Sequence, residues 1–235
     1  MSLPVQLPLS VQLRDDATFA NYYSGSNATL VNLLDMDRQV PGIESEQFIF
    51  LYGPRGVGCS HLLQAACHQM DSRNGRSIYL PMNELVHYPS QMLEGMERLQ
   101  LVCVDDIDAV AGIDEWEEAL FDLFNRLRES DIRFLVAANN PPKALGIELP
   151  DLVSRLGWGM VFQVQPLNDK DMVSALQLRA NLRGLDMGDD VARFIIYRST
   201  RDMEYLFRIL QKLDSASLRA KRKLTIPFVK EVMGW

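Results

Sequence analysis

A chain of 235 residues, 47% hydrophobic and 23% charged, has the make-up of a globular protein with room for one large domain or a domain plus a small appendage. Its net charge of −7 speaks against wholesale nucleic-acid binding, and no apolar run approaches the roughly 18 residues that a membrane span takes. Three cysteines without C-x-x-C spacing argue against a disulfide framework and suit a reducing compartment, so a cytoplasmic location is expected.

Residues 1–17, MSLPVQLPLSVQLRDDA, lack the basic and apolar regions of a secretory signal and read as an extended, flexible segment. FIFLY (48–52) is the first of five short apolar runs of strand character. It leads into GPRGVGCS and then HLLQAACHQM, which reads as a helix. Strand, glycine loop and helix form the setting of a phosphate-binding loop, G-x-x-x-x-G-K-[ST]. Gly53, Gly58 and Ser60 fall in register, with Pro54, Arg55, Gly56 and Val57 between them, but Cys59 stands where the lysine belongs. Backbone N–H groups of such a loop and of the following helix start attract phosphate, and Ser60 is placed to hold Mg²⁺. Cys59 is short and uncharged. Arg55 offers a cation from another direction, and His61 is either a phosphate contact or a plain helix-start residue.

SIYLPM (77–82) and LVCVDD (101–106) follow as strands. The second ends in two carboxylates, a Walker B layout that delivers Asp105 to a metal and Asp106 to the attacking water. The alternative is that Asp106 and Asp108 cap the next helix. Residues 116–130 carry an apolar stripe of Ala119, Leu120, Leu123, Phe124 and Leu127. IRFLVAAN (132–139) runs into Asn139 and Asn140. A polar residue there, Asn140 in our assignment, faces a terminal phosphate, unless the pair is only a turn before Pro141. LPDLVSRLGWG places Arg155 in a short helix, able to complete a neighbouring molecule's site or to pair with Asp151 four residues back. MVFQVQ (160–165) is the fifth strand. Near-continuous apolar runs separated by helices predict a doubly wound α/β domain with a parallel sheet.

After Gln165 only helical patterns remain. They start at Asn168 or Asp169, at Asp189, after a Ser199–Asp202 capping-box pattern, and at Thr225 with Pro227. Thirteen Lys and Arg against nine Asp and Glu from Asn168 onward give this part a basic balance within an acidic chain. The expected organisation is a flexible segment at 1–17, an α/β nucleotide-binding domain at 18–167 and a helical domain at 168–235. Arg201 is placed to reach from the helical domain to a nucleotide, or else to pair with Glu204. Cys67, Cys103, Trp116 and Trp158 read as packing residues, and His61, His68 and His87 suggest no zinc site.

Phosphate loop, Walker B strand, sensor asparagine, outward arginine and helical lid together resemble an AAA+ module. GVGCSHLLQAAC, LPDLVSRLGWG, LQLRANLRG and RKLTIPFVKE are similar to the Hda-like branch of DnaA-related replication regulators. The resemblance implies a five-stranded parallel sheet with a helical lid, and a bound ADP or other nucleoside diphosphate, with or without Mg²⁺ on Ser60 and Asp105. It implies that TFANYYSGSN lies against the base through Phe19, Asn21 and Tyr22. It makes QLPLS, with Gln6, Leu7, Pro8, Leu9 and Ser10, a docking peptide for the DNA polymerase sliding clamp. It implies that Arg155 acts on ATP held by DnaA as an arginine finger, that DNA is met mainly through the clamp, that no membrane is involved and that a homodimer is compatible. Two other readings stay open: an autonomous clamp-loader-like ATPase, against which Cys59 argues, and a DNA-binding adaptor that uses the basic lid.

Overall fold

The computed structural model describes residues 13–14, 16–38 and 46–235. The expected clamp peptide, Gln6 to Ser10, lies outside the described residues. After a short helix α1 (Ala28–Leu34), strand β1 (Phe48–Tyr52) leads into α2 (Cys59–Ser72). Then come β2 (Ser77–Pro81), the single-turn α3 (Met82–Leu85), β3 (Leu101–Asp105), α4 (Asp114–Glu129), β4 (Arg133–Ala138), α5 (Pro150–Leu156) and β5 (Met160–Gln163). The five strands form one parallel sheet in the order β2-β3-β4-β1-β5.

Alternation along each strand divides the core. Ile49, Leu51, Leu101, Cys103, Leu135 and Ala137 pack with α1 and α2 on one face, and Cys67 joins them. Phe50, Val102, Val104, Phe134 and Val136 pack with α3, α4 and α5 on the other. Inner strands β3 and β4 are buried throughout, as their apolar runs predict. β5 differs: its burial alternates, and Val161 is exposed. The cause is position, because β5 is an edge strand with β1 on one side only. On α4 the expected stripe holds at Leu120, Leu123, Phe124 and Leu127, and Trp116 joins it. Acids in its first turn and Arg126 and Arg128 in its last complement the helix dipole.

The helical part comprises α6 (Asp169–Leu182), α7 (Asp189–Arg198), α8 (Met203–Ala220) and α9 (Ile226–Met233) around a separate apolar core. Asn168 caps α6 by accepting the N–H of Asp171 at 2.9 Å, and Thr225 caps α9. The expected Ser199–Asp202 box does not form. Asp202 is itself the cap of α8, accepting from Tyr205 N–H at 2.7 Å, and the Ser199 hydroxyl is buried with no partner among the described residues. A carboxylate one residue before the first helical turn outcompetes a hydroxyl three residues further out.

Of the segment expected to be flexible, residues 13–14 and 16–17 are described, and Arg14 among them is held against α2. Arg14 N–H donates to Gln64 Oε1, the ring of His68 meets the Arg14 carbonyl, and Ala17 is buried. No helix among the described residues is long and apolar enough to cross a membrane.

Candidate nucleotide-binding site

The phosphate loop leaves the carboxyl end of β1, inside the sheet, where α/β folds present their ligand crevices. Gly53 N–H donates to the Ala138 carbonyl at the end of β4, and a Cβ on Gly53 would lie 2.8 Å from the Val164 carbonyl oxygen. Val57 N–H closes a turn onto Pro54. Gly58 adopts φ +107°, and a Cβ there would lie 2.8 Å from Tyr22 Cε2. Only glycine combines that backbone with that approach. The next residue begins α2, and among the described residues the N–H groups of Cys59, Ser60 and His61 have no acceptor. They open onto a cleft of about 510 Å³ between the α/β and helical parts. A row of helix-start N–H groups behind a loop with glycines at 53, 56 and 58 fits a phosphate chain.

The whole run from Gly53 to His61 lines this cleft, together with Asn21, Tyr22, Asp105, Asp106 and Arg201. Two expected residues do not. Phe19 is buried in the core against α1 and α2. Asn140 is exposed and outside the lining, whereas Asn139, the first residue past β4, lines it. The Asn139 side-chain amide donates to Asp108 Oδ2 at 2.8 Å, which ties the ends of β3 and β4 together.

Cys59 contributes no charge. Burial pushes its thiol up to about 12, and the nearby Asp105 and Asp106 carboxylates add to the shift. Asp105 is buried, with Oδ2 accepting from the Tyr79 hydroxyl at 2.5 Å and Oδ1 from Asp106 N–H at 3.0 Å. Burial, with Asp105 and then Asp108 adding repulsion, raises the carboxyl of Asp106 to about 6, while Arg55 opposes the shift. Arg55 itself is exposed on the loop. His61 is held neutral, pushed down to about 4 by burial, and its ring nitrogen meets the Thr18 carbonyl at 2.9 Å. Among the described residues no three His, Cys, Asp or Glu side chains converge on a metal-holding point. A magnesium ion here would find Ser60 and Asp105 and would rely on phosphate oxygens for the rest of its shell.

The raised Asp106 carboxyl makes a pH prediction. Its folded value of about 6 lies above the unfolded 3.8, so the native state binds more protons between those values. This group therefore costs stability that builds up between about pH 4 and pH 6, is full above 6 and is absent well below 4. Asp106 adopts φ +51°, which Asn tolerates. Asp106→Asn is expected to melt higher than the native chain at pH 8, by on the order of 1 kcal/mol after allowance for solvent screening, with the gap narrowing to about a third of that at pH 4.5. Thermal melts at the two pH values measure the difference.

The helical part presents mixed charge. Arg201 reaches the cleft rim, but its guanidinium pairs with Asp169 at 2.9 Å and not with Glu204; both partners are exposed. Asp202 lies closer to the loop: a Cβ on Gly56 would be 3.2 Å from its Oδ2. A residue that sequence reasoning passed over, Arg179 on α6, is only 4% exposed and lines the cleft. Its guanidinium lies over Phe207 at 4.5 Å, donates to the Asp16 carbonyl at 3.0 Å and leaves Nε without a partner. It joins the helical part to the segment before Thr18.

Arg155 lies outside the cleft. It sits in the last turn of α5, partly buried, with its guanidinium carbon 5.3 Å from the Trp158 ring and 5.9 Å from Phe124. It forms no ion pair with Asp151 among the described residues. Trp158 is 56% exposed and carries Arg128 as well, at 5.1 Å. Trp116 is a packing residue as expected; Trp158 sets its ring beside Phe48 and Phe124, at 6.4 and 6.1 Å between centroids, and also carries two cations.

The model of the bacterial DnaA ATPase domain matches residues 13–163, and that of the Hda lid domain matches residues 169–233. Domain III of the Thermotoga maritima replication initiation protein DnaA is similar in structure, with a TM-score of 0.76 and 21% identity over 95% of this chain and 98% of that one. AMPPCP-bound DnaA from Aquifex aeolicus gives a TM-score of 0.72 and 21% identity over 90% and 70%. The Thermotoga maritima RuvB Holliday junction branch migration motor gives 0.68 and 17% over 92% and 73%.

Proposed function

Since the chain belongs to the DnaA-related AAA+ family and ends in an Hda lid, we propose that it is a nucleotide-bound regulator that promotes hydrolysis of ATP on DnaA, lending Arg155 to that site. The observation that carries the reading is the separation of two features. The cleft has a phosphate cradle without its lysine, while a guanidinium stands outside the cleft on the half-exposed Trp158 platform. The cradle suits two phosphates better than three. Cys59 is neutral, Arg201 is engaged by Asp169, and Asp202 sets a carboxylate beside Gly56. ADP, or another nucleoside diphosphate, held by the N–H groups of residues 58–61, stabilises the angle between the α/β and helical parts and so the folded body that displays Arg155. Gln6, Leu7, Pro8, Leu9 and Ser10 tether the protein to the sliding clamp, and DNA is engaged through the clamp.

The test is a single-round assay. DnaA loaded with labelled ATP is mixed with this protein, with and without clamp on DNA. Faster hydrolysis that requires the clamp is expected. An unchanged rate in both arms rejects the reading, and rapid hydrolysis by this protein alone favours an autonomous motor. Nucleotide extracted from the purified protein is expected to be a diphosphate.

A further inference from the structure

We propose that Glu117 is a positioning residue for Arg155, an inference that rests on reading Arg155 as the group lent to a partner's site. Glu117 lies in the first turn of α4, yet its side chain is buried, with 1% exposure. Its carboxylate accepts from three backbone N–H groups. Oε1 takes Gly112 at 2.7 Å and Glu148 at 3.0 Å, and Oε2 takes Glu148 at 2.9 Å and Leu149 at 2.7 Å. Leu149 is the residue on which α5 starts, and Arg155 is in the last turn of that helix.

A helix of seven residues does not hold its own direction; its anchors do. Leu152 and Leu156 fix one side of α5 in the core, and Glu117 fixes its origin. From Leu149 to Arg155 the helix rises about 9 Å, so a ten-degree swing at the start moves the guanidinium root by about 1.6 Å. A displacement of about 1 Å is enough to cost about 100-fold in a reaction that depends on placement. The same carboxylate grips Gly112, in the loop that follows Asp105 and Asp106. One buried anion thus ties the end of the Walker B segment to the origin of the arginine helix.

The test is a cycle of four proteins, wild type, Glu117→Gln, Arg155→Ala and the double variant, assayed with DnaA-ATP and clamp on DNA below the unfolding transition of each. Gln keeps the volume but turns one acceptor into a donor facing an N–H. Glu117→Gln is expected to lower the maximal stimulated rate at least tenfold, with the half-maximal concentration within about twofold of wild type. Amide exchange at Glu148 and Leu149 is expected to accelerate. On the Arg155→Ala background the Gln substitution should change the rate by less than twofold, because the positioned group is gone. A full rate with Glu117→Gln beside a lost rate with Arg155→Ala overturns the positioning role and leaves the proposed function standing. An unchanged rate with Arg155→Ala overturns the proposed function itself. Equal losses on both backgrounds make Glu117 a general structural residue and also overturn its positioning role. If Glu117→Gln does not fold, Glu117→Asp, which keeps the charge and is one methylene short, takes its place in the cycle. Failure of both to fold overturns the inference.

Discussion

Arg155→Ala is expected to reduce the clamp-dependent hydrolysis of DnaA-bound ATP on the order of a thousandfold or more, the range found for arginines supplied to a phosphoryl-transfer site. Removing the side chain costs the fold little. Its guanidinium lies over the rings of Trp158 and Phe124, worth about 1 kcal/mol for a partly exposed cation, so the melting temperature should fall by only about 2–4 °C. Affinity of the variant for its own nucleotide should be unchanged, because Arg155 lies outside the cleft. Arg155→Lys is expected to restore little: a point ammonium lacks the planar fork that spans two phosphate oxygens and the flat face that rests on Trp158. Single-turnover hydrolysis and nucleotide titration on the same preparations separate these effects. A stimulated rate within threefold of wild type for Arg155→Ala would remove the role assigned to this residue.

Much of the molecule is legible in the chain, and the reasons are local. FIFLY, LVCVDD and IRFLVAAN declare inner strands because both faces are covered, and their apolar runs are near-continuous, with Arg133 the one interruption in the third. The glycine spacing declares the loop because Gly58 needs a left-handed backbone against a ring. What escapes is set by partners far along the chain. β5 reads as an inner strand, but its position in the sheet order makes it an edge. Asn139 and Asn140 are equivalent as letters; the last ladder residue of β4, Ala138, decides which of them faces the cleft. Phe19 resembles a base contact in sequence, yet the apolar faces of α1 and α2 take it into the core. Glu117 and Glu118 are adjacent acids at the start of one helix. The backbone of residues 148 and 149, more than thirty positions away, joins that of Gly112 in enclosing one of them, while the other stays exposed. Arg179 is one of thirteen basic residues after Asn168, and nothing in its neighbours announces that Asp16 and Phe207 enclose it.

The missing lysine can be restored, and the result bears directly on why the protein would lend an arginine outward. Cys59→Lys is expected to raise affinity for ATP about 10- to 100-fold and for ADP by clearly less, read by calorimetric titration of the two nucleotides. The new ammonium would stand where a neutral thiol now sits beside Asp105 and Asp106. Two unit charges about 4 Å apart interact by about 4 kcal/mol at an effective dielectric of 20, and solvent in the open cleft removes part of that, leaving the stated range. The gain should fall mainly on the third phosphate, because in the proposed site the N–H groups of residues 59–61 would serve the inner ones. The carboxyl of Asp106, now raised to about 6, should move down toward the ordinary carboxylate range, because the added cation offsets Asp105 and Asp108. On the proposed reading, clamp-dependent stimulation of DnaA should survive in the presence of ADP, since Arg155 and its platform are untouched. An ATP-to-ADP affinity ratio that does not change with Cys59→Lys would mean that charge at this position does not set phosphate preference. The discrimination would then have to come from the Asp202 carboxylate beside Gly56, where Asp202→Asn, which keeps a capping oxygen for Tyr205 N–H, should shift the ratio instead.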